Sequence, residues 1–164
     1  MSSTEVDFEA FARANAHLLY RTAWLLTGDS YHADDLVQET LGKLFKVWKR
    51  MQRVEKPAAY AQTVLTRTFI SQRRRRSWHE QPTDVVPDRS ADGEDHELRL
   101  LLLQALAGLP ALDRAVLVLR FFEDRSVEQV AADLGKSAGA IKNRTARALA
   151  RVRTVLGDDA LITQ

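Results

Sequence analysis

Cysteine is missing from all 164 residues. That excludes a disulfide framework, a thiolate metal site and a cysteine nucleophile. Histidine is scarce too: His17, His32, His79 and His96 are scattered along the chain, which leaves zinc chemistry little to work with. No run approaches the roughly 18 uncharged apolar residues that span a bilayer. The amino terminus carries Glu5, Asp7 and Glu9 where a secretory leader would be basic. These absences point to a cytoplasmic protein with no membrane insertion, metal or other cofactor. The composition is nonetheless that of a folded chain, with 45% hydrophobic residues, enough for the core of one medium domain or two small ones.

A net charge of +2 conceals alternation along the chain. Residues 1–41 carry −5, 42–78 carry +10, 79–97 carry −6, 98–135 carry −1 and 136–164 carry +4. Eleven bases against one acid in 42–78 is too lopsided for an ordinary solvated helix face. Two basic blocks separated by an acidic stretch suggest two separate contacts with a polyanion, since Lys and Arg clusters supply the sequence-independent part of nucleic-acid affinity.

Segment 79–97 (HEQPTDVVPDRSADGEDHE) has two prolines, seven acids and no apolar periodicity, and reads as a flexible acidic linker. The flanking segments, 1–78 and 98–164, are patterned at helical spacing without strand-like alternation. The expected fold is all-α: two small helical domains joined by that linker, each near the size where one core is only marginally stable. In the first, Thr4 is placed to cap a helix that stops at Gly28. A second helix begins near Ala33, with Val37, Leu41, Leu44, Phe45 and Trp48 inward and Asp35, Gln38, Glu39, Gly42 and Lys46 outward. A third runs from Pro57 to about Arg76. In the second domain, Leu98 to Leu106 is a strongly apolar helix. Pro110 opens another, whose Val116, Leu117, Leu119, Phe121 and Phe122 should be largely buried.

The stretch SVEQVAADLGKSAGAIKNRTARALARVR (126–153) is the most informative. Ser126 and Gln129 form a capping box, Gly135 suits a left-handed helix end and Ser137 caps the next helix. A short helix, a glycine-containing turn and a longer helix make a helix-turn-helix, whose second helix enters the DNA major groove. With Ile141 at the centre of its buried side, Thr145, Ala148, Leu149 and Val152 join it, while Gly139, Lys142, Asn143, Ala146 and Arg147 point away. Arg and Lys reach guanine acceptors, Asn pairs with adenine and small residues allow close approach. Arg144, Arg151 and Arg153 lie off that axis, as phosphate contacts or as solvated charges.

These residues resemble the extracytoplasmic-function (ECF) sigma factors, the short two-domain initiation factors of bacterial RNA polymerase. The composition, rich in Ala, Arg, Val and Asp, suggests an actinobacterial type. ADDLVQETLGKLFKVW (33–48) resembles the family's polymerase-binding helix, PAAYAQTVLTRTFISQRRRR (57–76) its minus-ten helix and residues 109–149 its minus-thirty-five reader. The resemblance implies that Asp34, Asp35, Gln38 and Glu39 meet the clamp of the largest polymerase subunit, with the flap of the second subunit as a further contact. It implies minus-thirty-five contacts by Ser137, Gly139, Lys142, Asn143, Arg144 and Arg147. On the minus-ten side it points to Arg67, Arg73, Arg74, Arg75, Arg76 and Trp78. Arg67 occupies a slot where the family often has Asn, so base preference should differ. The partners implied are core RNA polymerase, promoter DNA and, as in many members, an anti-sigma factor, in the cytoplasm on the nucleoid.

No catalytic residue is expected, since melting can be driven by binding: capturing one unstacked base contributes roughly 1–3 kcal/mol. Two rivals are a stand-alone helix-turn-helix regulator and a metal-dependent nucleic-acid enzyme built on Asp34, Asp35 and Glu39. Against the first stands the +10 block, and against the second the lack of further acids to complete a site.

Overall fold

A computed structural model describes residues 2–76 and 94–157; among these the chain is helical, with no strand. The acidic linker lies outside the described residues up to 93, and from Glu94 the chain is already in a helix.

Helix α1 (Ser3–Thr27) is capped by Ser2 rather than the expected Thr4. Ser2 has Glu5 three residues on, and the two exchange reciprocal bonds (Glu5 N–H to Ser2 Oγ 3.2 Å, Ser2 N–H to Glu5 Oε2 3.0 Å). The helix ends at Gly28, in the left-handed conformation. Helix α2 (Ser30–Lys46) starts three residues before Ala33, because Asp29 accepts the His32 N–H at 2.8 Å and caps it there. The short α3 (Trp48–Met51) leads to α4 (Pro57–Arg76), which spans the expected range. Leu19, Ala23, Leu26, Leu36, Leu44, Met51, Leu65 and Phe69 form the core of this first lobe. Phe45, expected inside, lies at the rim, 47% exposed, with its ring 5.2 Å from that of Phe8.

α4 buries Thr63, Thr66 and Thr68, residues that read as polar in the sequence. Their hydroxyls donate to the carbonyls one turn back, of Ala59, Gln62 and Val64, so burial leaves no donor unmet.

The second lobe consists of α5 (Glu94–Ala107), α6 (Ala111–Leu117), α7 (Val127–Leu134) and α8 (Ala138–Leu156), with a π-helical turn, Val118–Phe122, after α6. α8 is its centre: Ala148 and Val152 pack with Leu106, Leu109 and Leu117, and Ile141 packs with Val116, Leu119, Val130 and Ala131. Phe121 and Phe122, expected to be buried, are 51% and 46% exposed. The wider π turn advances each residue by less than 100°, which swings both rings off the inward face.

The lobes touch. Ala115 and Val118 of the second lobe are fully buried against the first lobe's core.

Candidate nucleic-acid interface

The helix-turn-helix is built by local chemistry. Ser126 Oγ accepts from Gln129 N–H at 3.1 Å and Gln129 Oε1 from Ser126 N–H at 2.8 Å, so α7 starts on a complete capping box. It ends at Gly135 with φ 65°, where a residue with a Cβ would be strained, and Lys136 N–H returns to Ala131 O at 2.9 Å. Ser137 Oγ then accepts Ala140 N–H at 3.1 Å and opens α8. Its O–H remains available as a donor.

On α8 the two faces separate as expected. Ile141, Ala148 and Val152 are buried with Thr145 and Leu149 beside them, and Gly139, Lys142, Asn143, Ala146 and Arg147 are exposed. Among the described residues nothing lies within 4 Å of where a Cβ on Gly139 would stand, which leaves room on that face for a close partner. Arg144 is placed differently: it is half-buried and donates to Asp113 Oδ1 at 2.9 Å, an ion pair tying α8 to α6.

In the first lobe, the acids of α2 and the arginines ending α4 lie side by side. Arg75 Nη2 is 3.2 Å from Glu39 Oε1 and Arg76 Nη2 is 3.4 Å from Asp35 Oδ2. Gln72 Nε2 donates to the Asp35 and Glu39 carboxylates at 3.4 and 3.3 Å. Asp34 and Gln38 are exposed on the same helix, and Lys43 pairs with Glu39 at 3.9 Å. Exposed pairs of this kind contribute about 0–1 kcal/mol each, so either side can be exchanged for a phosphate or a protein partner at small cost. They also pair Asp35 and Glu39 with cations of the chain itself. Arg73 stacks over the Phe69 ring at 5.6 Å; burial, with Arg76 adding to it, lowers its pKa. Arg74 is exposed on the same run. Arg67, on the exposed side of α4, donates Nε to the backbone carbonyl of Asp133 on α7. Trp78 lies outside the described residues.

Two cations at the lobe junction escaped sequence reasoning. Arg114, 1% exposed, donates Nε and Nη2 to Leu25 O at 2.9 and 2.7 Å. Burial, with the nearby Arg73 adding to it, lowers its pKa to about 9. Arg125 reaches across to α4 from the turn before α7. Neither has a local sequence signal, because every partner in the first lobe is more than 60 residues away.

Residues 11–79 match the family model described as Sigma-70 region 2 and residues 99–152 match Sigma-70, region 4. The chain belongs to the sigma-70 family of RNA polymerase sigma factors, in its ECF group. It is 36% identical over 153 residues to the RNA polymerase sigma-E factor of Streptomyces coelicolor, covering 92% of this chain and 86% of that one. To the ECF RNA polymerase sigma factor SigL of Mycobacterium tuberculosis it is 34% identical over 149 residues, covering 87% and 84%. Among solved structures it is similar to the sigma factor RpoE in complex with the anti-sigma factor NepR from Bartonella quintana. That match has 26% identity and a TM-score of 0.71, over 92% of this chain and 96% of that one. As a sigma factor the chain binds core RNA polymerase and directs promoter-specific transcription initiation. The region 2 match takes in the α2 acids and the α4 arginines, and the region 4 match takes in the helix-turn-helix. A stand-alone helix-turn-helix regulator would not carry the first of these. Sigma factors are a non-enzymatic family.

Proposed function

We propose that this sigma factor divides its work by residue as follows. The exposed side of α2, with Asp34, Asp35, Gln38 and Glu39, docks on the clamp of the largest polymerase subunit, and the second lobe meets the flap of the second subunit. The outward face of α8 reads the minus-thirty-five element. Lys142, Asn143 and Arg147 reach base edges, Gly139 permits close approach and Ser137 donates to a phosphate. Arg144, held by Asp113, sets the height of the helix rather than touching bases. In the first lobe Arg67 meets the minus-ten base that Asn meets in relatives, Arg73, Arg74, Arg75 and Arg76 hold phosphates, and Trp78 stacks on the opened strand. The functional units are 1–78 and 98–164 with 79–97 between them, working in the cytoplasm on the nucleoid. No side chain performs covalent chemistry, and no cofactor takes part. An anti-sigma factor belongs to the partner set, as it does for the RpoE of known structure.

The observation that carries this reading is the separation of α8 into an apolar side and an open cationic side ending in Arg147. Substituting Arg147→Ala and transcribing a promoter library with core polymerase tests it. A loss confined to one upstream base pair, worth about 1–3 kcal/mol of discrimination, supports base readout. Uniform weakening at every position reduces Arg147 to a phosphate contact.

A further inference from the structure

Gln62, on α4, is 6% exposed, yet among the described residues its Oε1 has no hydrogen-bond partner and its Nε2 donates to none. A buried polar group without a partner is costly and rare in native folds. Gln62 lines a cavity of about 330 Å³ where α1, the start of α4 and the π turn meet. That volume falls within the range of about 300–1,000 Å³ that small-ligand sites occupy. Leu18 of α1, 50% exposed, and Phe122, 46% exposed, give the cavity two apolar flanks. The Phe121 ring already has the Arg120 guanidinium over it at 5.5 Å, whereas Phe122 has neither an aromatic nor a cationic partner among the described residues. Its outward turn follows from the π geometry, a feature that recurs at functional sites. Arg21, exposed at the same cavity, forms no ion pair among the described residues. Glu123 also lines it; its Oε1 bonds Thr22 Oγ1 at 2.8 Å, which leaves Oε2 as an acceptor.

An unpaired amide, a carboxylate oxygen, a cation and an open ring face correspond to the parts of a nucleotide. A glutamine amide pairs with adenine through one donor and one acceptor, meeting N7 and the N6 amino group. A flat base packs against an aromatic face and an apolar side chain. A carboxylate accepts from ribose hydroxyls, and a guanidinium takes a phosphate on two N–H groups. We propose that this cavity binds a free adenine mononucleotide: Gln62 pairs with the base, Phe122 and Leu18 flank it, Glu123 accepts from the ribose and Arg21 holds the phosphate. Adenine within a strand carries the same chemistry. Arg21, however, is the one cation among the described lining residues, which suits a single phosphate rather than a chain of them. The site stands apart from the promoter contacts assigned to α8 and to Arg67.

Calorimetric titration of the full chain with adenosine 5′-monophosphate tests the site. Saturable binding is expected, and the melting temperature should rise with nucleotide concentration, because the ligand binds only the folded chain. Adenosine, which lacks the phosphate, and N6,N6-dimethyladenosine 5′-monophosphate, which lacks the amino donors, should each bind roughly tenfold or more weakly. Arg21→Ala, at an exposed position, should lose about the same factor for the monophosphate and should no longer distinguish it from adenosine. Gln62→Leu keeps the bulk and removes the unmet amide. It should weaken binding roughly tenfold or more while the free protein melts at the same temperature or higher, which a glutamine kept for stability would not allow. Absence of saturable binding at millimolar nucleotide, equal affinity for all three ligands, or wild-type affinity in both variants would overturn the site. Tighter binding of hexadeoxyadenylate than of the monophosphate would overturn the assignment to a free nucleotide.

Discussion

Replacing Arg144 with Ala separates a DNA contact from a structural tie. The side chain of Asp113 is 8% exposed and that of Arg144 29%, with 2.9 Å between Asp113 Oδ1 and Arg144 Nη1. Removing one member of a buried pair typically costs about 3–5 kcal/mol, because a charge is left in a poor solvent. Two features reduce this. Arg144 reaches solvent, and Asp113 lies in the first turn of α6, where the helix dipole favours an anion. A loss of about 2–3 kcal/mol remains, which for a chain of this size lowers the melting temperature by roughly 4–12 °C. Asp113→Asn in the Arg144→Ala background removes the stranded charge and should recover part of that loss. DNA binding supplies the second readout. A tie inside the lobe leaves the salt dependence of affinity unchanged, whereas removal of a phosphate contact lowers its slope by about 0.9. Melting within about 2 °C of wild type, below the range expected for a loss of this size, together with the smaller slope would refute the structural assignment.

Gly135→Ala should lower stability by about 1–2 kcal/mol through backbone strain, since φ is 65° and nothing among the described residues lies within 4 Å of the added Cβ; unchanged denaturant midpoints would contradict this. Ile141→Ala should cost about 2–5 kcal/mol by opening a cavity at a fully buried site, and it should weaken DNA binding at both strong and weak promoter sequences, as filter binding would show. Glu39→Lys should weaken association with core polymerase at least tenfold in a pull-down titration. Its melting temperature should change little, because the Arg75 and Lys43 pairs are exposed. A large drop in melting with unchanged polymerase affinity would make Glu39 a structural residue.

Features encoded within one or two helical turns were legible in the sequence. The Ser126 and Gln129 capping box, the left-handed Gly135, the Ser137 cap and the two faces of α8 all derive from neighbours in the chain, and each stands where spacing placed it. The bounds of α4 were equally readable from Pro57 and the final arginine run. Where the structure departs from expectation, the cause is a change of period, a local side-chain bond or a distant partner. Phe121 and Phe122 face outward because the π turn abandons the 100° step that the burial pattern assumed. Thr63, Thr66 and Thr68 read as polar yet are buried, because their hydroxyls are satisfied one turn back. Arg144 sits about 60° from the buried axis of α8, a boundary position settled by Asp113, 31 residues earlier. Arg67 gave no hint of its bond to Asp133, 66 residues on, because the approach of the lobes is a property of the whole fold.

The central claim is that two cationic helical surfaces of one chain act on two promoter elements while docked on core polymerase. Run-off transcription from a randomised promoter library, with core polymerase and with or without the purified protein, tests this most directly. The account predicts that transcripts appear only when the protein is added and come from templates sharing two short motifs at fixed spacing. The upstream motif should change when Lys142, Asn143 or Arg147 is substituted, and the downstream motif when Arg67 is. Transcripts that do not depend on the protein, or selection of a single palindromic site bound without polymerase, would contradict it.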